Sequence, residues 1–251
     1  MPDLTTILKD GLKAAFFEAY DSKPMTLWNT VATSVPSSPG RSKEEFGWLG
    51  ALGIPKEWLD ERDVKRLGEY TYEIPIKKYE NTIAVRREEI DADQYGAVRM
   101  RINDMAMRAA MFYERSVFTA LAAGFTATGF DGKTFFATDH PGAADQSNRG
   151  TTALSAASLE VARAAMMKFK DNKGEPMGII PDTLVVPPDL EKTALELVVS
   201  PVQVLAAASS DYTNVRQGAY RVVTSPYLTD ANDWFLLDTK HAAKAILVVE
   251  A

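Results

Sequence analysis

The chain has 251 residues, contains no cysteine and carries a formal net charge of −6 at pH 7. The absence of cysteine excludes disulfides, thiolate catalysis and cysteine zinc sites, and it fits an intracellular product. The acidic balance argues against a dedicated nucleic-acid-binding protein, which would carry a basic surplus. Because no apolar run is long enough to span a bilayer, we expect no membrane partner.

The first 60 residues are predicted to form an arm. A short amphipathic helix is expected at the start, and residues 31–41, rich in Ser and Pro, favour an extended and weakly structured segment. Within this arm, the aromatic residues Trp28, Phe46, Trp48 and Trp58 form a cluster in the sequence. They either anchor the arm on its own subunit or dock on a neighbouring one, where aromatic anchors dominate the binding energy. Trp48 and Trp58 are therefore candidate interface residues.

Residues 68–90 are predicted to form an extended β-hairpin. Tyr70–Ile76 alternates between apolar and polar side chains, and Ile83 and Val85 resume the alternation after a polar turn. Pro75 cannot donate to a central ladder, so it places the first strand at a sheet edge. Charges near the tip and on the returning strand suit contacts with another subunit, although a solvated face also explains them. The candidate interface residues here are Lys77, Lys78, Arg86 and Arg87.

One long amphipathic helix is predicted from about Asp91 to Ala123. Asp91 and Asp93 are both good N-caps, and Gly124 suits the C-terminal end. At 1.5 Å per residue such a helix spans about 50 Å, well beyond the usual length in a compact domain. The residues assigned to its apolar face follow a spacing of three or four: Tyr95, Val98, Ile102, Met105, Ala109, Phe112, Ser116 and Ala120.

The rest of the chain mixes helices and strands. Helices are predicted near Ser155–Asp171 and Asp189–Val199, with a short apolar strand, Leu184–Val186, between them. Tyr220–Thr224 and Trp234–Leu237 are predicted to pair through a turn, and Ala245–Val249 is expected to be a buried final strand. The regular βαβ rhythm of a doubly wound fold is missing, so the predicted class is α+β.

The sequence motifs provide little support for catalysis. Gly132-Lys133-Thr134 resembles part of a phosphate loop, but Ala127 stands where the first glycine is needed and a helix precedes the motif. Asp139 and His140 are adjacent in the sequence, and side chains of adjacent residues rarely point at one centre. We therefore interpret Asp139 as a loop cap and His140 as a packing side chain. We therefore expect no catalytic, cofactor or metal site and no enzyme. A hydrolase that uses unrecognised carboxylates is the remaining enzymatic alternative.

Several sequence blocks resemble one known family. The arm block VATSVPSSPGRSKEEFGWLGALGIPKEWLDER, the hairpin block YEIPIKKYENTIAVRREEIDAD and the later blocks DGKTFFATDHP and DTLVVPPDLEKTALEL are similar, in this order, to the major head subunit of Mu-like phages and prophages. The resemblance runs from about Phe16 to Asp238. Members of that family run further past the final strand, so we expect shortened C-terminal elements here.

The resemblance implies the Hong Kong 97-type phage capsid fold. Its parts are expected to be an N-terminal arm (1–60), an extended loop (68–90), a peripheral domain with a long spine helix (91–175 and 241–251) and an axial domain (176–240). The layout worked out from the residues agrees with this division.

The resemblance also implies a function. We expect a major capsid protein that assembles with itself into hexamers and pentamers of an icosahedral head around double-stranded DNA, which it contacts weakly and non-specifically. Implied partners are a portal, a scaffold and a head-maturation protease. The implied location is the virion, and the host cytoplasm during assembly. The alternative is a shell of the same fold, a protein nanocompartment that encloses a cargo enzyme.

Overall fold

The computed structural model describes residues 4–22, 26–38, 40, 42–48, 70–84, 95–129, 131–141, 146–171, 174–203, 212–241 and 244–250. Its helices are α1 (Leu4–Asp21), α2 (Trp28–Val31), α3 (Tyr95–Ala110), α4 (Phe112–Ala123), α5 (Ala156–Met167), a 3₁₀ turn (Pro188–Leu190) and α6 (Glu191–Val198). Its strands are β1 (Ala32–Pro36), β2 (Lys43–Trp48), β3 (Tyr70–Pro75), β4 (Thr183–Val186), β5 (Val202–Gln203), β6 (Tyr212–Thr213), β7 (Arg221–Thr224), β8 (Phe235–Leu237) and β9 (Ile246–Glu250).

The chain divides into two compact units. The first comprises Met1–Asn29 and Lys77–Val117, and the second comprises Thr30–Ile76 and Phe118–Ala251. In the first unit α1 packs against α3, which confirms the predicted N-terminal helix. None of the helices in the described residues is long and apolar enough to cross a membrane.

The predicted long helix is present as α3 and α4, which together are called the spine helix below. Only Met111 separates them, and the helical hydrogen bonds continue across it, because its N–H donates to Met107 O and the Arg115 N–H donates to its own carbonyl, both at 3.0 Å. The helix ends at Ala123, as predicted. A side chain at Gly124 would lie 2.7 Å from the ring of Phe136, so close packing also requires glycine there. The predicted caps, Asp91 and Asp93, lie outside the described residues.

The predicted apolar face of the spine helix is correct only at its start. Val98 and Ile102 are buried, but Met105 is half-buried and the next core position is Ala106. Hydrophobicity favours the methionine, whereas close approach between packed helices favours the smaller alanine. The buried face then continues through Ala110, Glu114, Val117, Phe118 and Leu121. Of the predicted members beyond Met105, Ala109 and Phe112 are half-buried, and Ser116 and Ala120 are exposed.

The predicted hairpin has a different strand pairing in the described residues. β3 confirms its first strand, but the partner of β3 is β2, paired antiparallel from Lys43↔Pro75 to Trp48↔Tyr70. Residues 76–84 form no strand, so the strand expected to resume at Ile83 is absent there, while 85–89 lie outside the described residues. Lys43 of β2 lies 2.7 Å from Glu73 of β3 across this ladder, an exposed ion pair that adds little to the pairing, and Glu45 stands directly opposite Glu73.

The segment 31–41, predicted to be weakly structured, contains β1. This strand pairs parallel with β9, from Ala32↔Ile246 to Pro36↔Glu250, and the Ser37 N–H donates to Glu250 O at 2.6 Å. Local composition indicated a flexible segment, but a partner more than two hundred residues away imposes the strand. The predicted final strand is confirmed as β9, although its residues are half-buried rather than buried.

A three-stranded sheet forms the core of the residues after 176. Its order is β7-β4-β8, with β4 parallel to β7 and antiparallel to β8. The predicted direct pairing of Tyr220–Thr224 with Trp234–Leu237 is therefore wrong, because β4 lies between them. All four residues of β4 are buried, which suits a central strand. The hydrophobic cluster packed here comprises Leu154, Leu159, Leu184, Val186, Ala194, Val198 and Tyr220.

One predicted helix precedes β4 in the sequence, and another follows it. The helix expected at Ser155–Asp171 is α5, which begins where predicted, because Ser155 and Ser158 form a reciprocal capping box, and ends earlier, at Met167. The helix expected at Asp189–Val199 begins with the 3₁₀ turn and continues as α6.

Candidate functional site

The predicted interface residues are only partly described. Lys77 and Lys78 are exposed on the segment after β3. Trp48 is the last residue of β2, in register with Tyr70, and its side chain lies outside the described part of the chain. Trp58, Arg86 and Arg87 also lie outside the described residues. A role of these six residues in subunit contacts stays a prediction.

Aromatic contacts hold two segments on the spine helix. The ring of Tyr79 lies 4.5 Å from that of Phe112, measured between centroids, and Trp28 stacks on Tyr113 at 5.4 Å. Segment 77–84 and Trp28, the first residue of α2, therefore both pack on the same part of the spine helix, within one compact unit. For Trp28, the structure shows the first of the two predicted alternatives, an anchor on its own subunit.

A buried carboxylate fixes the chain next to Trp28. Glu114 is 5% exposed, and its Oε2 accepts the N–H groups of Leu27 and Trp28, both at 2.8 Å. These donors lie at the start of α2, where the first N–H groups of a helix have no partner within it. Sequence reasoning missed this role. The available signal was a glutamate four residues after Ala110 on the buried face of a helix.

The exposed face of the spine helix carries a row of arginines. Arg101, Arg108 and Arg115 follow one another at intervals of seven residues, and all three are exposed. Asp104 lies within the row and accepts a hydrogen bond from Nε of Arg108 at 2.8 Å. Segment 77–84 lies beside this face and forms a groove of about 580 Å³ with it. The lining residues are Asn81, Thr82, Ile83, Met100, Arg101, Asp104, Met105 and Arg108.

The loop between α4 and α5 is organised around Asp131 and His140. Nδ1 of His140 lies 2.7 Å from Oδ2 of Asp131, whose side chain is 8% exposed. Burial raises the pKa of Asp131, but hydrogen bonds from His140 and from the backbone N–H of Lys133 outweigh it and hold the pKa below its ordinary value. Lys133 contacts Asp139 instead of pointing at a ligand. Asp139 therefore pairs with a lysine, and it is Asp131 that orients the histidine.

The other ring nitrogen of His140 also faces oxygen atoms. Nε2 lies 3.1 Å from Phe135 O and 3.2 Å from Oδ1 of Asn148. These contacts agree with the predicted packing role of His140. In the described part of the chain, no group of three or more His, Asp or Glu residues is placed to hold a metal ion.

The second compact unit has an exposed apolar surface on α6. Leu195 and Val199, one helical turn apart, are 42% and 55% exposed.

The turn after β6 is held in place by Arg216, which donates two hydrogen bonds to the carboxylate of Glu160 at 2.5 and 2.6 Å. These hydrogen bonds are the main reason that the pKa of Glu160 lies below its ordinary value.

Comparison with known proteins identifies the family. Residues 5–153 and 146–228 match the Mu-like prophage major head subunit gpT. The chain belongs to this family. Among curated Mu-like head proteins, it is 31% identical over 140 residues to the Mu-like prophage FluMu major head subunit of Haemophilus influenzae and 31% identical over 114 residues to the major capsid protein of Escherichia phage Mu. These alignments cover 56% and 45% of this chain. The chain spans 44% and 37% of the length of these two relatives.

Solved capsid structures share the fold of this Mu-like head subunit. A chain of the procapsid of bacteriophage JBD30 is similar with a TM-score of 0.71 and 23% identity, over 91% of this chain and 100% of that one. The JBD30 capsid gives a TM-score of 0.67 and 22% identity, over 82% and 92%. The similarity confirms the predicted α+β class and the Hong Kong 97-type capsid fold.

Proposed function

We propose that the chain is the major capsid protein of a Mu-like phage or prophage. It assembles with itself into hexamers and pentamers, and these close into an icosahedral head around double-stranded DNA. The family match over residues 5–228 carries this proposal, supported by the capsid fold. The protein acts in the virion, after assembly in the host cytoplasm, and its role is structural rather than enzymatic.

The proposed division of the chain follows the capsid fold. Residues 1–60 are the N-terminal arm, 68–90 the extended loop, 91–175 with 241–251 the peripheral domain, and 176–240 the axial domain. The spine helix within 91–175 supports this assignment, as does the separate sheet with α6 within 176–240.

The proposed assembly mechanism uses many weak contacts. The extended loop places Lys77, Lys78, Arg86 and Arg87 on a neighbour, the arm adds Trp48 and Trp58, and the axial domains meet around the capsomer axis. The exposed Leu195 and Val199 supply apolar area for such an axial contact. Each contact is weak, but a closed shell makes all of them at once, and multivalency stabilises the whole.

Two other functions are less well supported. A nanocompartment around a cargo enzyme would use the same fold, but the family match is to a phage head subunit. A hydrolase would need a convergent set of polar groups, and Asp104 is the single carboxylate among the described residues that line the groove of the first unit. Proposed partners are a portal, a scaffold and a head-maturation protease, together with weak, non-specific contact to the packaged DNA.

Electron microscopy of the purified full chain tests the proposal. We expect closed icosahedral particles or free capsomers that convert to them, with nucleic acid inside particles taken from phage-producing cells. Particles that contain a co-purifying enzyme and no nucleic acid would favour the nanocompartment. A chain that stays monomeric at high concentration, with and without the proposed scaffold, would contradict the capsid function.

A further inference from the structure

The arginines on the exposed face of the spine helix form a straight row. An α-helix returns to nearly the same direction after seven residues, with a drift of about 20°. Arg101, Arg108 and Arg115 therefore point the same way, roughly 10 Å apart along the axis, over about 21 Å. The hydrogen bonds across Met111 keep the helix continuous through the row.

The row lies opposite the buried face, and its three side chains are exposed. The side chain of Arg108 is 74% exposed, and that of its partner Asp104 is 64% exposed. An exposed pair of this kind contributes little free energy, so Arg108 can exchange Asp104 for a stronger anion. Asp104 is the only acidic residue between Arg101 and Glu114, and Glu114 is buried beneath the backbone of Leu27 and Trp28.

The distribution of charge favours an anion at this place. The first compact unit contains equal numbers of acidic and basic residues, so the second unit carries the whole negative surplus of the chain. A polyanion is repelled by such a surface and is attracted to a local positive row. Lys77 and Lys78, offset in part by Glu80, add net positive charge on the segment whose Tyr79 rests on Phe112.

The groove beside the row offers the donors that a nucleic-acid backbone uses. Arg101 and Arg108 line the helix side, and Asn81 and Thr82 line the other, with Ile83, Met100 and Met105 adding apolar surface. Guanidinium, amide and hydroxyl groups are the side chains that contact phosphate and sugar oxygens in protein–DNA complexes. The centre of a protein–protein interface is instead depleted of charge.

We propose that Arg101, Arg108 and Arg115, with the adjoining groove, bind the sugar–phosphate backbone of the DNA inside the head. The contact reads no sequence, because phosphates carry none. It rests on the proposed function in one respect, namely that DNA is the polyanion present. A neighbouring copy that used the exposed Met100 and Met107 beside the row would be a different occupant.

The test compares two triple variants with the same change of charge. R101Q/R108Q/R115Q removes the row, and K168Q/K170Q/K192Q removes three exposed lysines of the second unit. Binding of the unassembled full chain to a short duplex of random sequence is measured from very low to physiological salt. Each phosphate contact adds about 0.9 to the slope of log K against log salt concentration, so the row variant should lose about 2 to 3 units. The lysine variant should keep the slope of the unmodified chain.

Further variants keep the result interpretable. R115Q alone should lower the slope of log K against log salt concentration by about one unit. This single variant replaces the triple variant if the triple variant is poorly folded. R101K/R108K/R115K should retain most of the slope, and D104N should increase affinity, because it removes the only acid in the row. A purely structural role of these residues predicts none of these effects.

Three outcomes would overturn the proposal. The first is equal slopes for the arginine and lysine variants, and the second is no binding by the unmodified chain even at the lowest salt. The third is loss of particles in R101Q/R108Q/R115Q with an unchanged DNA slope, which would make the row a contact between copies. Failure of the unmodified chain to form particles would sink the capsid function alone, since the slopes are measured on the unassembled protein.

Discussion

At the scale of single residues, a buried carboxylate organises the loop between α4 and α5. Asp131 accepts hydrogen bonds from the Lys133 N–H and faces Nδ1 of His140. Nε2 of His140 faces two further oxygen atoms, Phe135 O and Oδ1 of Asn148. The imidazole therefore links Asp131, whose side chain is 8% exposed, to two other parts of the loop.

We expect Asp131→Asn to lower the free energy of unfolding by about 1–3 kcal/mol at neutral pH, because it removes a buried charged acceptor. The pKa of Asp131 lies below its ordinary value of 3.8, so its contribution is complete above that value and is lost as the pH falls through the lower, folded value. Urea unfolding at neutral and at strongly acidic pH should show the difference shrink in acid. Asp139→Asn, whose partner is an exposed lysine, should have a smaller effect. Equal losses for both variants would contradict the role of Asp131.

Phe118 and Phe112 distinguish the true buried face of the spine helix from the predicted one. Phe118 is fully buried, so Phe118→Ala should cost about 3–5 kcal/mol of stability. Phe112 is half-buried, and Phe112→Ala should cost clearly less. Thermal unfolding of the two variants measures the difference, and the same substitution in both makes each a control for the other. A larger loss at Phe112 would restore the predicted face.

At the scale of elements, Glu114 joins the start of α2 to the spine helix. Glu114→Gln replaces a charged acceptor of two N–H groups by a neutral one, so amide exchange at Leu27 and Trp28 should accelerate, by roughly tenfold per 1.4 kcal/mol lost. Glu18→Gln is the matched control, because the pair that Glu18 forms with Arg99 is exposed. Hydrogen exchange read residue by residue checks the prediction. Unchanged exchange at both amides would show that Trp28 stacking alone holds the segment.

Elements defined by local signals were predictable, and their partners were not. Ser155 marked the start of α5 and Gly124 the end of α4, because caps act on the backbone next to them. Strand pairing depends on distant residues instead. β1 needs β9, and β3 chose β2 rather than the residues just after it. The buried face of the spine helix was misassigned after Ile102 for a similar reason, since the shape of what packs against it decides between Met105 and Ala106.

The sequence indicated some features of the candidate site and not others. Lys77 and Lys78 were recognised by charge and are exposed as expected. Arg101, Arg108 and Arg115 lie off the predicted apolar face in the sequence, and they are exposed in the structure. The role of Glu114 needed the fold, because its donors are about 86 residues away in the chain. Family resemblance rather than residue chemistry indicated the capsid function.

At the scale of the whole molecule, we expect segment 77–84 to be needed for assembly and not for folding. It contributes no strand, and the β2–β3 ladder ends at Pro75. Replacing residues 77–84 by a Gly-Ser linker of equal length should therefore leave a cooperatively folding chain that forms no particles. Thermal unfolding and negative-stain microscopy of the same preparation measure the two properties. Normal particles from this variant would contradict the proposed role of the extended loop.

The pairing of β1 with β9 has a consequence for synthesis on the ribosome. Ala32 emerges long before its partner Ile246, and at about 5–20 residues per second the delay amounts to roughly 10–40 s. During that time β1 has no β9 to pair with, and an unpaired strand edge invites association with other nascent chains. Completion of this ladder waits until residues 246–250 have left the ribosome. Many copies translated at once on neighbouring ribosomes therefore expose many unpaired β1 strands to one another, which is a condition that favours association before folding.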